Sequence, residues 1–555
     1  MQTNLDQPEH GASSPNAPAS SRTETRDLVY LSLLVVAASV IRLWFIQFYK
    51  VISADGVAYA TLAREISSGN FATAFSSAHP PFYPMMIAVV HLFIADIQLA
   101  GQVAASLIGG LVLIPLYFLA LRLGDRRTAI IACLLVTVWP SIRSLSCEVM
   151  SQSTYMLLIL TAYLSYYRLL LNPTIKCAGL TSLIFALAYL TRPEAFISFA
   201  LLSVYLLVYH GVITKRDLAG TVLQTVISWL IFIAIVFPYI YLIRQSTGEW
   251  QLSAKSAPVI GAALQEYLGR PDLYNEIGYK GFSLWSVVRT YPDFVLANSI
   301  KNLQFLYQDL PLYIWVPALL GCAVFIMNRG KRLERLWLLV SFAPLVLITI
   351  FYILGSGYSQ FYYPLLFIWF AIGIVWIETK VTGFLRAQFP SLRTIFKVSF
   401  SVTLVLVLAL YLLRSQIPDA SARNRPYTPD QDGGRYDHKL TGLRLLKILP
   451  KDARIMTRSG RISFYSDKPW VIYPQASLEE ILSVARKAGV RFLVVDGSLV
   501  NVRPQLGILL QPLLEPPESV ELLYKETGRE ILPGIRMYYL YKDPSSQGVA
   551  VYELF

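Results

Sequence analysis

Up to about residue 413, the chain consists of long apolar runs separated by short polar or charged segments. A helix crossing a bilayer needs about 20 mostly apolar residues. Eleven runs approach that length: 28–48, 97–122, 128–146, 150–171, 177–191, 195–210, 219–243, 311–328, 336–354, 361–379 and 396–413. Runs 177–191 and 195–210 are short enough to be tilted or partly re-entrant. The first run follows a polar, Pro- and Ser-rich tail, residues 1–27, which reads as disordered. No small-residue cleavage site comes after that run, so it reads as a span and not a cleaved signal. The stretch 81–95, PFYPMMIAVVHLFIA, is short and broken by proline, which predicts a helix lying at the outer membrane interface.

After residue 413 the pattern changes. Residues 414–438, with Pro, Asp, Asn and Gly, read as a linker. In 439–555 short β-rich runs alternate with helical ones. RISFYSDKPWVIY is strand-like, LEEILSVARKAGV predicts an amphipathic helix stopped by Gly489, and RFLVVDG predicts a buried strand. The expected fold is a mostly α, polytopic membrane domain over 28–413, with about 11 transmembrane helices, followed by a small C-terminal α/β domain.

Composition agrees with this pattern. Of 555 residues, 55% are hydrophobic and 15% charged, against roughly 25% charged in an ordinary soluble domain. With a mean hydropathy of +0.50, a single water-soluble globule is excluded. The net charge of +13 would suggest nucleic acid, but its distribution points elsewhere. If the tail is cytoplasmic, the inner loops and adjoining span ends hold fifteen Lys and Arg residues against four Asp and Glu. That bias is the positive-inside signal. It predicts a cytoplasmic N-terminus and places 49–96, 244–310 and everything after 414 outside, with the bilayer and not nucleic acid as partner. The four cysteines have no CxxC or framework spacing, so they support neither a zinc site nor a disulfide scaffold.

One topology brings scattered ionisable residues to the same outer depth. Asp55, in Ser53-Ala54-Asp55-Gly56-Val57-Ala58-Tyr59, lies just beyond the first span, ahead of the helix-like YATLAREISSGNF. It reads either as a helix N-cap or as a partly desolvated general base. His79 sits in the rigid turn Ala78-His79-Pro80-Pro81, as a membrane-entry turn or as a phosphate or proton-transfer group. Glu148 ends the third span, where an ionisable group faces a cavity or partner and not lipid. Arg192 and Glu194, in Thr191-Arg192-Pro193-Glu194, either satisfy each other or serve a ligand. Two carboxylates with neighbouring cations suit acid–base work on an anionic substrate.

These motifs, in this order and spacing, resemble the GT-C class of integral-membrane glycosyltransferases. The similarity covers about residues 28–410 and is to bacterial relatives of protein O-mannosyltransferases and of the lipid A aminoarabinose transferase. The resemblance implies a polyprenyl-phosphate-linked sugar donor at the outer face of a bacterial cytoplasmic membrane, with a lipid, glycan or protein acceptor. It implies Asp55 as the catalytic base of an inverting transfer, with Glu148 binding the acceptor or orienting the base. Tyr59, His79, Arg192, Glu194 and Gln360 are the implied donor- or acceptor-binding positions, and Lys255, in the polar stretch QLSAKSAP, reads either as a contact to the donor phosphate or as a solvated loop lysine. His79 stands where many relatives have Lys. Gln360 stands where many have Arg, and Tyr362 and Tyr363 beside it read as interfacial aromatics. A surface-polysaccharide polymerase or ligase, and a transporter or flippase of lipid-linked sugars, are the competing classes. No obligatory metal is expected, although Asp55, Glu148 and His79 are ligand types for a divalent ion.

Overall fold

The computed structural model describes residues 25–215, 218–254, 256–269, 284–327, 337–352, 357–389, 399–422, 435–497, 499–514, 521–523, 529–542 and 548–555. Most of the N-terminal tail, Lys255 and residues 423–434 of the 414–438 segment lie outside the described residues.

Among the described residues, each of the eleven apolar runs is largely helical. Along the chain lie α1 (Thr25–Phe45), α2 (Ala54–Ser67), α3 (Phe82–His91) and α4 (Ile97–Leu123). Next are α5 (Arg126–Val138), α6 (Pro140–Cys147), α7 (Gln152–Leu171), α8 (Ile175–Tyr189), α9 (Ala195–Ile213) and α10 (Leu218–Thr247). The membrane domain continues with α11 (Pro292–Asp309), α12 (Leu312–Met327), α13 (Trp337–Phe351), α14 (Tyr363–Gln388) and α15 (Phe400–Ala422). Among the described residues, seven helices are long and apolar enough to cross a membrane, or nine if the bent pairs α5/α6 and α11/α12 each count as one span. Helices α8 and α13 are apolar but shorter than the usual span length. α1, α10 and α15 turn Leu33, Leu230 and Leu410 outward, the apolar exterior expected of helices that face lipid.

The run 128–146 breaks at Trp139–Pro140, where α5 and α6 meet at 58°. Pro140 has no N–H, so the carbonyl of Val136 loses its helical partner. Arg42 Nη2 of α1 donates to that oxygen at 2.9 Å, and Gln416 Nε2 of α15 donates to Val138 O at 2.8 Å. The bend is therefore held by side chains from two other helices. α12 and α14 approach through glycine: a Cβ built on Gly321 would lie 1.8 Å from Trp369 O, and one on Gly373 2.0 Å from Pro317 O. Only glycine permits that approach.

At one end of the domain, Arg126 grips the buried Asp27 carboxylate at 2.6 and 3.2 Å, and Tyr117 donates to it at 2.9 Å. Glu378 accepts from Phe400 N at 2.7 Å and from Ser401 Oγ at 2.6 Å, capping α15, and pairs with Arg127 at 3.3 Å. The candidate site lies at the other end, with α2 and α3.

The C-terminal domain begins with α16 (Tyr436–Ile448). It holds a seven-stranded sheet of β1 (Ile455–Met456), β2 (Trp470–Val471), β3 (Phe492–Asp496), β4 (Glu521–Leu523), β5 (Glu530–Leu532), β6 (Ile535–Tyr541) and β7 (Val549–Leu554). The strand order is β2-β1-β3-β7-β6-β4, with β5 on β6; β1, β2 and β3 are parallel and the rest antiparallel. As its composition predicts, RFLVVDG supplies the buried strand β3. The predicted amphipathic helix spans Leu478–Lys487, opens on a Ser477/Glu480 capping box and is followed by Gly489 at φ +65°.

RISFYSDKPWVIY is not a strand throughout. Its first part is a helix, α17 (Gly460–Ser466), closed by Asp467 in the left-handed region, and only Trp470–Val471 pair as β2. Ile462 packs into the domain's own core, while Phe464 and Tyr465 pack against the membrane domain. Burial on two sides removes the polar face that marks a surface helix.

His438 of α16 is buried among Arg435, Asp437 and Asp496, with Ser459 Oγ at 2.7 Å from Nδ1. Burial is the main cause that pulls its pKa from 6.5 to about 4. Between those values the unfolded chain holds a proton that the folded chain lacks, so stability rises with pH there. The contribution is complete above the unfolded value and is lost as pH falls toward 4, and is worth on the order of 3 kcal/mol. Thermal unfolding of the full chain is expected to show that acid loss, and His438→Gln should flatten it.

Candidate active site

Ser53, in extended backbone, caps α2: its Oγ accepts from Gly56 N at 3.0 Å. The N-cap role left open for Asp55 thus belongs to Ser53. Asp55 stands in the first turn, where a carboxylate suits the helix dipole, with its side chain 43% exposed. Tyr59, one turn on, shares its face. His79 Nε2 lies 3.7 Å from Asp55 Oδ1, an ion pair when the imidazole is protonated. The His79 ring meets Tyr59 edge-on at 5.1 Å between centroids, and Tyr59 OH lies 3.0 Å from Ser151 Oγ.

Glu148 follows α6 in extended backbone and is half-buried. The turn after it lies directly against the head of α2: a Cβ on Gly56 would sit 3.0 Å from Val149 O, and Ser53 Oγ meets Met150 Sδ at 3.3 Å. The segments carrying the two candidate carboxylates therefore adjoin.

A backbone hydrogen bond joins the His-Pro-Pro turn to the Thr-Arg-Pro-Glu turn, from Phe82 N to Leu190 O at 2.9 Å. Arg192 donates from Nη2 to Glu194 Oε1 at 3.0 Å, and both side chains are buried. The Arg192 guanidinium stands 4.6 Å from the ring centre of Tyr358 and 5.2 Å from that of Phe361. Burial opposes its charge, but Glu194, Tyr358 and Tyr59 together outweigh burial and hold it above the ordinary arginine value. A cleft of about 310 Å³ is lined by Tyr59, Pro80, Arg192, Glu194, Ser253 and Tyr358, among others. Arg192 Nε, Glu194 Oε2 and Gln360 Oε1 are buried without a hydrogen-bond partner among the described residues. A buried polar atom without a partner in a folded protein calls for one, whether water, an ion or a group brought to the site.

The structure thus gathers Asp55, Tyr59, His79, Glu148, Arg192 and Glu194 at one end of the membrane domain. Gln360 is buried in the turn that carries Phe361 beside Arg192; Lys255 lies outside the described residues. Tyr362 and Tyr363 are both buried, so neither is an interfacial side chain, and Tyr363 donates to Asp309 at 2.5 Å. Sequence reasoning missed Ser53, Ser151 and Tyr358; only Ser53, a capping residue ahead of a helical pattern, carried a local signal. Among the described residues, no three His, Cys, Asp or Glu side chains are grouped to hold a metal ion.

Residues 78–242 match the family model of dolichyl-phosphate-mannose-protein mannosyltransferases. No curated protein sequence matches the chain. Among solved structures, the undecaprenyl phosphate-bound ArnT of Cupriavidus metallidurans is similar over 94% of this chain and 98% of its own, at 14% identity and a TM-score of 0.54. The apo oligosaccharyltransferase of Archaeoglobus fulgidus is similar over 85% of this chain and 70% of its own, at 13% identity and a TM-score of 0.57. AglB of the same organism, in complex with an inhibitory peptide and a dolichol-phosphate, covers the same shares at 15% identity and a TM-score of 0.52. By fold the chain is a multi-pass membrane protein of GT-C type, and it resembles the protein O-mannosyltransferases and the aminoarabinose transferase.

Proposed function

We propose that this chain moves a sugar from a polyprenyl-phosphate donor to a hydroxyl of a lipid, glycan or protein at the outer face of a bacterial cytoplasmic membrane. The observation that carries the reading is the pairing of Asp55 with His79 at the head of α2, next to a cleft lined by Tyr59, Arg192 and Glu194. Asp55 takes the proton from the acceptor hydroxyl. The acceptor oxygen then attacks the anomeric carbon from the face opposite the lipid phosphate. The bond from that carbon to the phosphate oxygen breaks, and the lipid phosphate leaves with the electron pair. Configuration inverts. The leaving group is already a stable anion, so catalysis rests on positioning and on cations near the developing charge. Arg192, held charged in a buried setting, is the main cation of the cleft. Protonated His79 adds charge beside Asp55; the neutral ring orients the carboxylate. Glu148 binds or orients the acceptor.

The test is donor consumption by the full chain in proteoliposomes. An undecaprenyl-phosphate-linked sugar is expected to be cleaved, releasing undecaprenyl phosphate and a product of inverted anomeric configuration. Transbilayer movement of the intact donor without cleavage, or use of a nucleotide sugar alone, would overturn the reading.

A further inference from the structure

The segment between α1 and α2 depends on hydrogen bonds from the C-terminal domain. Ile52 immediately precedes the Ser53 cap and is 2% exposed. Its N–H donates to Tyr465 OH at 2.8 Å, and its carbonyl accepts from Arg461 Nε at 2.8 Å. Both side chains belong to α17, about four hundred residues away in sequence. Tyr465 OH in turn donates a hydrogen bond to Gln98 Oε1 of α4 at 2.7 Å, so the phenol bridges the α1–α2 segment to a membrane helix. Lys439 Nζ of α16 donates to Lys50 O at 2.6 Å, and Gln98 Nε2 donates to the same oxygen at 3.2 Å.

The contact continues along α2. Phe464 and Tyr465 share a core with Ile52, Tyr59, Ala60 and Ala63. Arg64 stands 4.6 Å from the ring centre of Phe464 and 3.8 Å from Asp467, and a Cβ on Gly460 would lie 3.5 Å from Val57 Cγ1. α17 therefore lies along the helix that bears Asp55 and fixes the residue that starts it. A buried backbone N–H and carbonyl require partners; at Ile52 both come from the C-terminal domain.

We infer that Tyr465 and Arg461 are positioning residues for Asp55, and that the C-terminal domain completes the active site by docking on Lys50–Ile52. This rests on Asp55 being the base. Releasing Ile52 lets the Ser53 cap and the first turn of α2 shift, and a displacement of about 1 Å at a reacting group lowers the rate by as much as about a hundredfold.

Tyr465→Phe keeps the ring and its packing but removes the oxygen. In the full chain in proteoliposomes, with an undecaprenyl-phosphate-linked sugar as donor, kcat is expected to fall by about tenfold with the donor KM unchanged. A disulfide formed by Val57→Cys with Gly460→Cys, which ties α17 to α2, should restore most of that kcat when oxidised and lose it when reduced. Where Tyr465→Phe folds poorly, Arg461→Gln tests the same contact from a half-exposed position. An unchanged kcat, a rise in KM alone, or no rescue by the disulfide overturns the inference. Asp55→Asn is measured in parallel. If it retains full transfer, the base reading fails and the inference with it; if it is inactive while Tyr465→Phe is normal, only the inference fails.

Discussion

Asp55→Asn is expected to lower sugar transfer by about a hundredfold to ten-thousandfold, with the helix and lipid-donor binding intact. Asparagine preserves the size and one acceptor oxygen of the side chain but cannot take a proton from an acceptor hydroxyl. α2 has no need of the carboxylate to start, because Ser53 caps it and fixes the first turn through Gly56 N. With 43% of its side chain exposed, Asp55 is not a core group whose change would unfold the site. The substitution also removes the charge that faces His79 at 3.7 Å, so any limb of the pH–rate profile that belongs to this pair should vanish in residual activity. The check is single-turnover transfer and undecaprenyl-phosphate binding on the same preparation. Transfer at the full rate would reject Asp55 as base; loss of donor binding together with transfer would assign it to binding.

What could be read in advance follows the range of the interactions. Helix positions were legible because apolar run length is a local property, and among the described residues each of the eleven runs falls on a helix or a bent helix pair. The site was partly legible for a different reason. Asp55, Glu148, Arg192 and Glu194 sit at or just beyond the same end of their runs, and His79 lies in the loop on that side, so topology alone brings them to one face before any contact is known. What was not legible depends on pairs of distant residues. The break at Pro140 needs Arg42 and Gln416 to satisfy freed carbonyls, and neither residue lies near the proline in sequence. The hydrogen bond from Phe82 to Leu190 uses backbone groups that leave no compositional trace. α17 reads as a strand because both its sides are covered, one of them by the membrane domain, and the apolar pattern records burial and not what causes it.

Arg192→Gln should be the most damaging single change to the cleft, through two separable effects. Arg192 and Glu194 are both buried, and Glu194 Oε2 already lacks a hydrogen-bond partner among the described residues. Without the guanidinium, the carboxylate remains a buried charge that has lost its counter-ion, a change that destabilises a protein by about 3–5 kcal/mol. The contact between the cation and the Tyr358 and Phe361 rings is lost as well. A clear drop in thermal midpoint in detergent is therefore expected. Transfer should fall by about a hundredfold or more if the cation stabilises the departing phosphate. Adding Glu194→Gln separates the two effects, because a pair of neutral amides can hydrogen-bond without leaving a buried charge that has no counter-ion. The double variant should regain most of the melting temperature while transfer stays low, since no cation returns to the cleft. Recovery of transfer with stability would make Arg192 a structural partner of Glu194 and nothing more. A single variant that melts like the parent would show that Glu194 does not depend on Arg192 for its burial.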